Sequence, residues 1–178
     1  MQKLLLTGRP RCGKSSLIQK YTIGLPLNGF TMQRLTQEGI TWAFRLLDLA
    51  EEPYTTQLET ERHWDDIAIS LVAPGKWQGN ADVFEGKGCQ ALERSLFSSG
   101  LVILDELGIF EEKAVKFQQA VFRLLDSKLP VLGVLKDKHT PFLDRVRAHP
   151  SVAIVEFPSQ EAVDRVEALT GGFRGQKR

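Results

Sequence analysis

One stretch near the start of the chain, LLLTGRPRCGKSSL from Leu4 to Leu17, constrains the fold more than any other. An apolar run that reads as a buried strand leads into Gly8, then Gly13, Lys14 and Ser15, and then Leu17, Ile18 and Tyr21 at helical spacing. The pattern GxxxxGK[ST] between a strand and a helix has a physical use that explains every fixed position. Successive backbone N–H groups must point inward around an anion, which requires residues without obstructing side chains. The helix that follows then aims its positive N-terminal end at the same point. The expected anion is the phosphate chain of ATP, GTP or another nucleoside triphosphate. It would be held by Gly8, Arg9, Pro10, Arg11, Cys12, Gly13, Lys14, Ser15 and Ser16. In this pattern Lys14 bridges the β- and γ-phosphates and the Ser15 hydroxyl ligates Mg2+.

Arg9 and Arg11 are unusual occupants of positions that the pattern leaves open. Arg11 must project its cation outward while its N–H faces the phosphate. The two guanidinium groups either add charge over the triphosphate or a partner, or lie solvated on the rim; the solvated reading is favoured. Cys12 lies near a helix N-terminus, where a thiolate is stabilised. A small filler residue is nonetheless the favoured reading over a redox-sensitive one.

Four apolar runs read as buried parallel strands: KLLL near Leu4, LVIL from Leu101, VLGVL from Val131 and VAIVEF from Val152. Helical patterns follow them. Ala114, Val115, Phe117, Ala120, Val121, Leu124 and Leu125 recur at helical spacing, and SQEAVDRVEAL from Ser159 opens with a capping residue. Strands alternating with helices predict an α/β fold, a doubly wound, mostly parallel sheet with helices on both faces. GFTMQRLTQEGITWAFRLLDL, Gly29 to Leu49, breaks the rhythm and reads as an inserted β-hairpin. The stretch from Glu51 to Asp66 is ambiguous, and APGKWQGN from Ala73 reads as a loop. A single domain over residues 1–170 is expected, with 171–178, GGFRGQKR, as a flexible tail.

Composition excludes several classes. With 42% hydrophobic and 25% charged residues and a net charge of +1, the chain has neither the basic excess of a nucleic-acid binder nor the bias of a disordered one. Its apolar runs are too short to cross a membrane, and MQKLLLTG does not read as a signal peptide. Two cysteines make no disulfide framework and suit a reducing cytoplasm, the expected location. A monomer is expected, and no protein partner is indicated.

The run LVILDE places Asp105 and Glu106 directly after a buried strand. Ligands of an open parallel sheet collect at the carboxyl ends of its strands, so an acid pair there can meet the triphosphate. Asp105 would hold Mg2+ through water, whereas Glu106, turned to another face, would accept a proton from the attacking water or orient it. Phe30, Met32, Trp42 and Phe44 alternate along the hairpin, packing one face on the sheet or offering a stacking surface for a base; packing is favoured. His63, His139 and His149 show no metal-ligand spacing and read as surface or loop residues. Lys136, Asp137 and Lys138 follow the strand VLGVL at the carboxyl edge, where they either approach the nucleotide base or form a solvated loop; the loop is favoured.

Together LLLTGRPRCGKSSL, the hairpin beginning NGFT, LVILDELG with Glu111 following, and FRLLDSKLPVLGVL resemble, in order, the THEP-type nucleoside-triphosphatases, which include the animal cancer-related nucleoside-triphosphatase. The resemblance covers most of the chain. It implies a RecA-like P-loop fold with Walker A and Walker B motifs, and slow, Mg2+-dependent hydrolysis of nucleoside triphosphates with little base discrimination. The chain departs from the family's patterns in three places. Arg11 replaces the second glycine of GxxGxGK[ST]. The hairpin pattern GxRxGF reads GITWAF, with Thr41 and Ala43 at the arginine and glycine positions. Ile109 stands at the lysine of DEIGKME. Arg45, Arg9 or Arg11 are candidates to supply the missing charge. Two other functions share the motifs: a small-molecule or nucleoside kinase, and a nucleotide-gated binding module with weak turnover. No arginine-rich lid of the kinase kind is evident.

Overall fold

A computed structural model describes residues 3–174. Its centre is a run of parallel strands, β1 (Lys3–Thr7), β7 (Leu101–Leu107), β8 (Val131–Leu135) and β9 (Val152–Glu156), which are the four apolar runs expected from sequence. The remaining strands are β2 (Leu27–Gln37), β3 (Ile40–Asp48), β4 (Gln57–Glu59), β5 (Ile67–Ala73) and β6 (Lys76–Gly79). They join one nine-stranded open sheet in the order β6-β5-β3-β2-β7-β8-β1-β9, with β4 beside β2. The helices are α1 (Lys14–Thr22), α2 (Ala81–Val83), α3 (Cys89–Ser95), α4 (Val115–Asp126), α5 (Pro141–Arg147) and α6 (Gln160–Arg174). A π-helical turn, Phe84–Gly88, joins α2 to α3, and a 3-10 turn, Phe110–Lys113, precedes α4.

The apolar runs form central strands because both of their faces are covered. Leu4 and Leu6 join Ile103, Leu132, Ile18 and Val166 on the side of α1 and α6, whereas Leu5 points the other way, to Leu104, Val131 and the helices α3, α4 and α5. The edges of the Phe117 ring pack against Phe30 and Phe84, each at 5.4 Å between centroids. Truncating such a ring to alanine costs about 3–5 kcal/mol. Phe30 and Met32 face this core, so packing, not base stacking, accounts for them. Trp42 donates its indole N–H to Thr60 O, and Phe44 lies against Trp77.

The early hairpin turns at Glu38 and Gly39, both with positive φ (51° and 75°), as a two-residue primed turn requires. Its first strand does more than the sequence suggests. Residues Leu27 to Thr31 of β2 pair in parallel with β7, so the hairpin continues the main sheet. The segment around Lys76, expected as a loop, is also corrected. Only Pro74 and Gly75 turn, and Lys76–Gly79 pairs antiparallel with β5 as the sheet's edge. A short edge strand with one half-covered face carries no apolar run to announce it.

Helix boundaries follow their caps. Ser159 Oγ accepts from Ala162 N–H (3.1 Å) at the start of α6, and Thr140 accepts from Leu143 N–H (3.2 Å) ahead of Pro141 in α5. Helix α6 runs through Gly171, Gly172 and Phe173 to Arg174, past the boundary expected at 171. The rest of the expected tail lies outside the described residues. No helix among the described residues is long and apolar enough to cross a membrane.

Candidate active site

Strand β1 ends at Thr7 and the chain then loops through Gly8 to Gly13 before α1 begins at Lys14. Gly8 is required by space: at φ 130° a Cβ there would lie 2.1 Å from Phe157 O, inside van der Waals contact. Gly13 has φ 97° and serves as the N-cap of α1. Arg11 has φ 60°, a left-handed conformation that most L-residues avoid, which accounts for the glycine that the family pattern places there. The Arg9 and Arg11 side chains are exposed, as the solvated reading expects. Cys12 is half-buried, its Sγ 3.5 Å from Phe157 O and from Lys14 Nζ, a packed position in keeping with a filler residue.

Lys14 is buried, and its ammonium donates to Gly8 O (2.9 Å) and Arg9 O (2.7 Å), so the charge lies across the loop. One residue on, the Ser15 hydroxyl donates to Asp105 Oδ1 at 2.9 Å, across 90 residues of sequence. The loop and the acidic end of β7 therefore form one site. Asp105 stands where the ladder between β7 and β8 shifts register, between Leu104 and Leu107, and its peptide bond to Glu106 is cis.

Two further hydroxyls reach the same carboxylate. Thr31, the cross-strand partner of Asp105 on β2, donates to Oδ2 at 3.2 Å, and Tyr54 OH donates to Oδ2 at 2.5 Å. Burial pushes the Asp105 carboxyl up to about 6, helped by the charge of Glu106 and opposed by the Tyr54, Ser15 and Thr31 hydroxyls. Burial likewise raises Tyr54 well above the usual phenol value, with Asp105 beside it adding to the effect.

Glu106 points elsewhere, half-exposed and 3.2 Å from Lys136 Nζ, which follows β8. The expectation of a plainly solvated Lys136 is thus revised: its stem lies against Gly108 and its ammonium pairs with Glu106. Glu111 returns beneath this turn, buried, and accepts from Gly108 N–H with both oxygens at 3.1 Å. Burial, with Glu106 adding to it, pushes Glu111 up to about 7 against the pull of backbone N–H groups and Lys136.

Other expected groups lie apart. Arg45 is engaged by Asp66 (2.7 Å) and Glu52 and stacks on Trp64, while Lys87 closes the quartet by pairing with the same two carboxylates. Thr41 pairs with Thr36, Ala43 is buried between Leu35 and Ser70, and Ile109 is partly exposed. His63 packs on Trp42, His139 faces Asp144, and His149, in the loop between α5 and β9, faces Asp126 with its ring largely covered. Thr31 and Tyr54 escaped the sequence reading. Thr31 closes the NGFT motif, which is its one sequence signal, whereas Tyr54 lies in a polar stretch with no motif around it.

An open, mostly parallel sheet with a glycine loop between β1 and α1 defines a P-loop NTPase fold. The chain belongs to the NTPase family, whose pattern matches residues 3–165, and is by that membership a nucleoside-triphosphate hydrolase. Among its relatives, the nucleoside-triphosphatase THEP1 of Thermotoga sp. (strain RQ2) is 30% identical over 156 residues, covering 86% of this chain and 85% of the relative. THEP1 of Methanosarcina acetivorans is 30% identical over 181 residues, covering 97% of each. Two solved structures share the fold over 100% of both chains, each with a TM-score of 0.68. They are the crystal structure of THEP1 from Aquifex aeolicus, 23% identical, and the solution structure of a human cancer-related nucleoside triphosphatase, 21% identical.

Proposed function

We propose that this site cleaves the bond between the β- and γ-phosphates of ATP, GTP or another nucleoside triphosphate, releasing the diphosphate and phosphate, with Mg2+ as cofactor. The observation that carries the reading is the 2.9 Å contact between Ser15 and Asp105, which joins the phosphate loop to a buried carboxylate. The donor chemistry fits magnesium: a hydroxyl and a carboxylate are hard oxygen donors. Among the described residues no group of three or more His, Cys, Asp and Glu could hold a metal. That too suits Mg2+, which takes most of its ligands from phosphates and water. Ser15 would ligate it directly and Asp105 through water, and the bound cation would neutralise charge that develops on the phosphates.

The chain's own groups do the rest. Backbone N–H groups of Gly8, Arg9 and the run from Arg11 to Ser16, with the N-terminus of α1, would surround the β-phosphate. Lys14 exchanges the neutral carbonyls of Gly8 and Arg9 for charged phosphate oxygens, which are stronger partners. Water attacks the γ-phosphorus as the bond to the β-bridging oxygen breaks, and Glu106 orients that water and takes its proton. The ion pair with Lys136 competes for the same carboxylate, which supports slow turnover. Recognition centred on phosphate supports broad base specificity. The unpaired Cys12 and Cys89 suit the cytoplasm.

Phosphate release and binding of a fluorescent triphosphate test the assignment. Lys14→Ala is expected to lose binding, and Glu106→Gln to bind but not turn over. Full turnover in Glu106→Gln refutes its role as base, and tight binding by the native chain without turnover favours a gated binding module.

A further inference from the structure

We propose that Tyr54 is a positioning residue for the cation-holding carboxylate, carried on a strap, residues 49–56, that sets how strongly Mg2+ is bound beside the nucleotide. The inference rests on the reading of Asp105 as the group that holds magnesium. A phenol has one hydrogen to donate, and Tyr54 OH has two acceptors in view, Asp105 Oδ2 at 2.5 Å and Ser15 O at 3.5 Å. Distance and charge both assign the hydrogen to the carboxylate. Asp105 is 2% exposed, so bulk water does not replace a donor lost there.

The division of donors gives the bond its purpose. Ser15 sits on Oδ1, whereas Thr31 and Tyr54 both sit on Oδ2. When Ser15 turns to the cation, Oδ1 is released while Oδ2 stays held, which leaves Oδ1 aimed at the cation's water shell. Hydrogen bonds to a carboxylate are directional, so a carboxylate free to rotate holds that shell less well.

The strap is built to keep the phenol in place. It leaves β3 with Leu49 N–H donating to Gly29 O (3.0 Å), and it rejoins the sheet where Arg34 N–H donates to Thr56 O (3.0 Å). Between these points Glu52 is paired with Arg45 and Lys87, and Gln19 of α1 donates to Tyr54 O at 2.6 Å. Leu49 and Tyr54 pack among the apolar side chains on the α1 side of the sheet. The phenol is thus tied both to the helix that begins the phosphate site and to the sheet.

The test uses a fluorescent, non-hydrolysable triphosphate whose affinity is read in EDTA and across a Mg2+ titration, with Mn2+ binding followed by electron paramagnetic resonance. Tyr54→Phe is expected to keep the parent's affinity in EDTA and to raise the Mg2+ concentration for half-maximal tightening by about tenfold, the usual scale for losing a partner of a metal-holding group. Mn2+ affinity in the presence of nucleotide should weaken by a similar factor. Equal losses of affinity with and without cation mark a merely structural role and overturn the inference. An unchanged cation dependence in Tyr54→Phe, with cation dependence lost in Asp105→Asn, overturns the role of Tyr54 alone. Cation dependence retained in Asp105→Asn overturns the magnesium reading of Asp105, and the inference with it. Should Tyr54→Phe show no cooperative melting, Gln19→Met, which unties the strap at Tyr54 O, carries the test: a higher Mg2+ midpoint supports the inference and an unchanged one overturns it.

Discussion

Replacing Glu111 by glutamine isolates the cost of a buried charge beneath the site. The carboxyl accepts from Gly108 N–H and is almost wholly buried, and its pKa rises from 4.5 to about 7. The native state therefore holds a proton that the unfolded chain releases between these values. Since ν_N exceeds ν_U across that window, stability falls as pH rises through it. The protonated group's full advantage is present below 4.5 and lost once pH passes about 7. Each tenfold change in proton affinity is about 1.4 kcal/mol, so the ionised carboxylate costs the fold roughly 3 kcal/mol at alkaline pH. Glutamine keeps an acceptor for Gly108 and nearly the same volume without the charge. Near pH 4.5 Glu111→Gln should match the parent; at pH 8 it should be more stable by up to roughly 3 kcal/mol, or about 6–12 °C in Tm for a chain of this length. Paired thermal melts from pH 4.5 to 8 cancel the titrating groups that do not interact with Glu111, Asp105 included. Parallel Tm profiles, or a variant less stable at pH 8, refute the reasoning.

Three further outcomes follow from the same geometry. Arg11→Gly relieves a residue at φ 60°, a gain of about 1–2 kcal/mol offset by about 0.5–1 kcal/mol of extra unfolded-state freedom. Urea unfolding should therefore show a small stabilisation, and nucleotide affinity should hold because the loop's contacts are main-chain. Lys136→Met removes a half-exposed pair worth at most about 1 kcal/mol, so turnover should rise by up to about fivefold with nucleotide Kd unchanged; slower turnover contradicts a competing role for Lys136. Gly8→Ala cannot place its methyl group 2.1 Å from Phe157 O, so triphosphate binding measured by fluorescence should be lost, even in preparations that still melt cooperatively.

The central strands and the phosphate loop were legible because both carry redundant signals. A strand covered on both faces must be apolar at every position, and a loop that presents amides must be poor in side chains. The antiparallel half was less so. Ile67–Ala73 is buried only at its start, and Lys76–Gly79 lies at the open edge, so neither shows a sustained pattern. Within the site, Lys14, Ser15, Asp105 and Glu106 stand in motifs, whereas Tyr54 reaches Asp105 only through a strap whose shape depends on pairings made by Glu52 and Gln19. Lys136 reads as solvated from sequence because a lysine after a strand commonly is, and only the fold brings Glu106 to it.

Charge explains why the departures from the family pattern bear on the cation more than on the loop. Arg45, a candidate substitute for a missing cation, is committed to Asp66 and Glu52, and Arg9 and Arg11 point to solvent. Lys136 is matched by Glu106. Lys14 is then the one buried cation among the described residues whose partners are the loop's own carbonyls, with the main-chain dipoles alone to assist it. A carboxylate as buried as Asp105 beside a polyanion is repulsive unless a positive charge lies between them. The same group that opposes a bare nucleotide favours one that arrives with its cation. Nucleotide and Mg2+ binding should therefore be strongly cooperative in this chain, and Asp105→Asn should tighten nucleotide binding in EDTA while weakening it in Mg2+. A loss of affinity in both conditions would show that Asp105 supports the loop and not the cation.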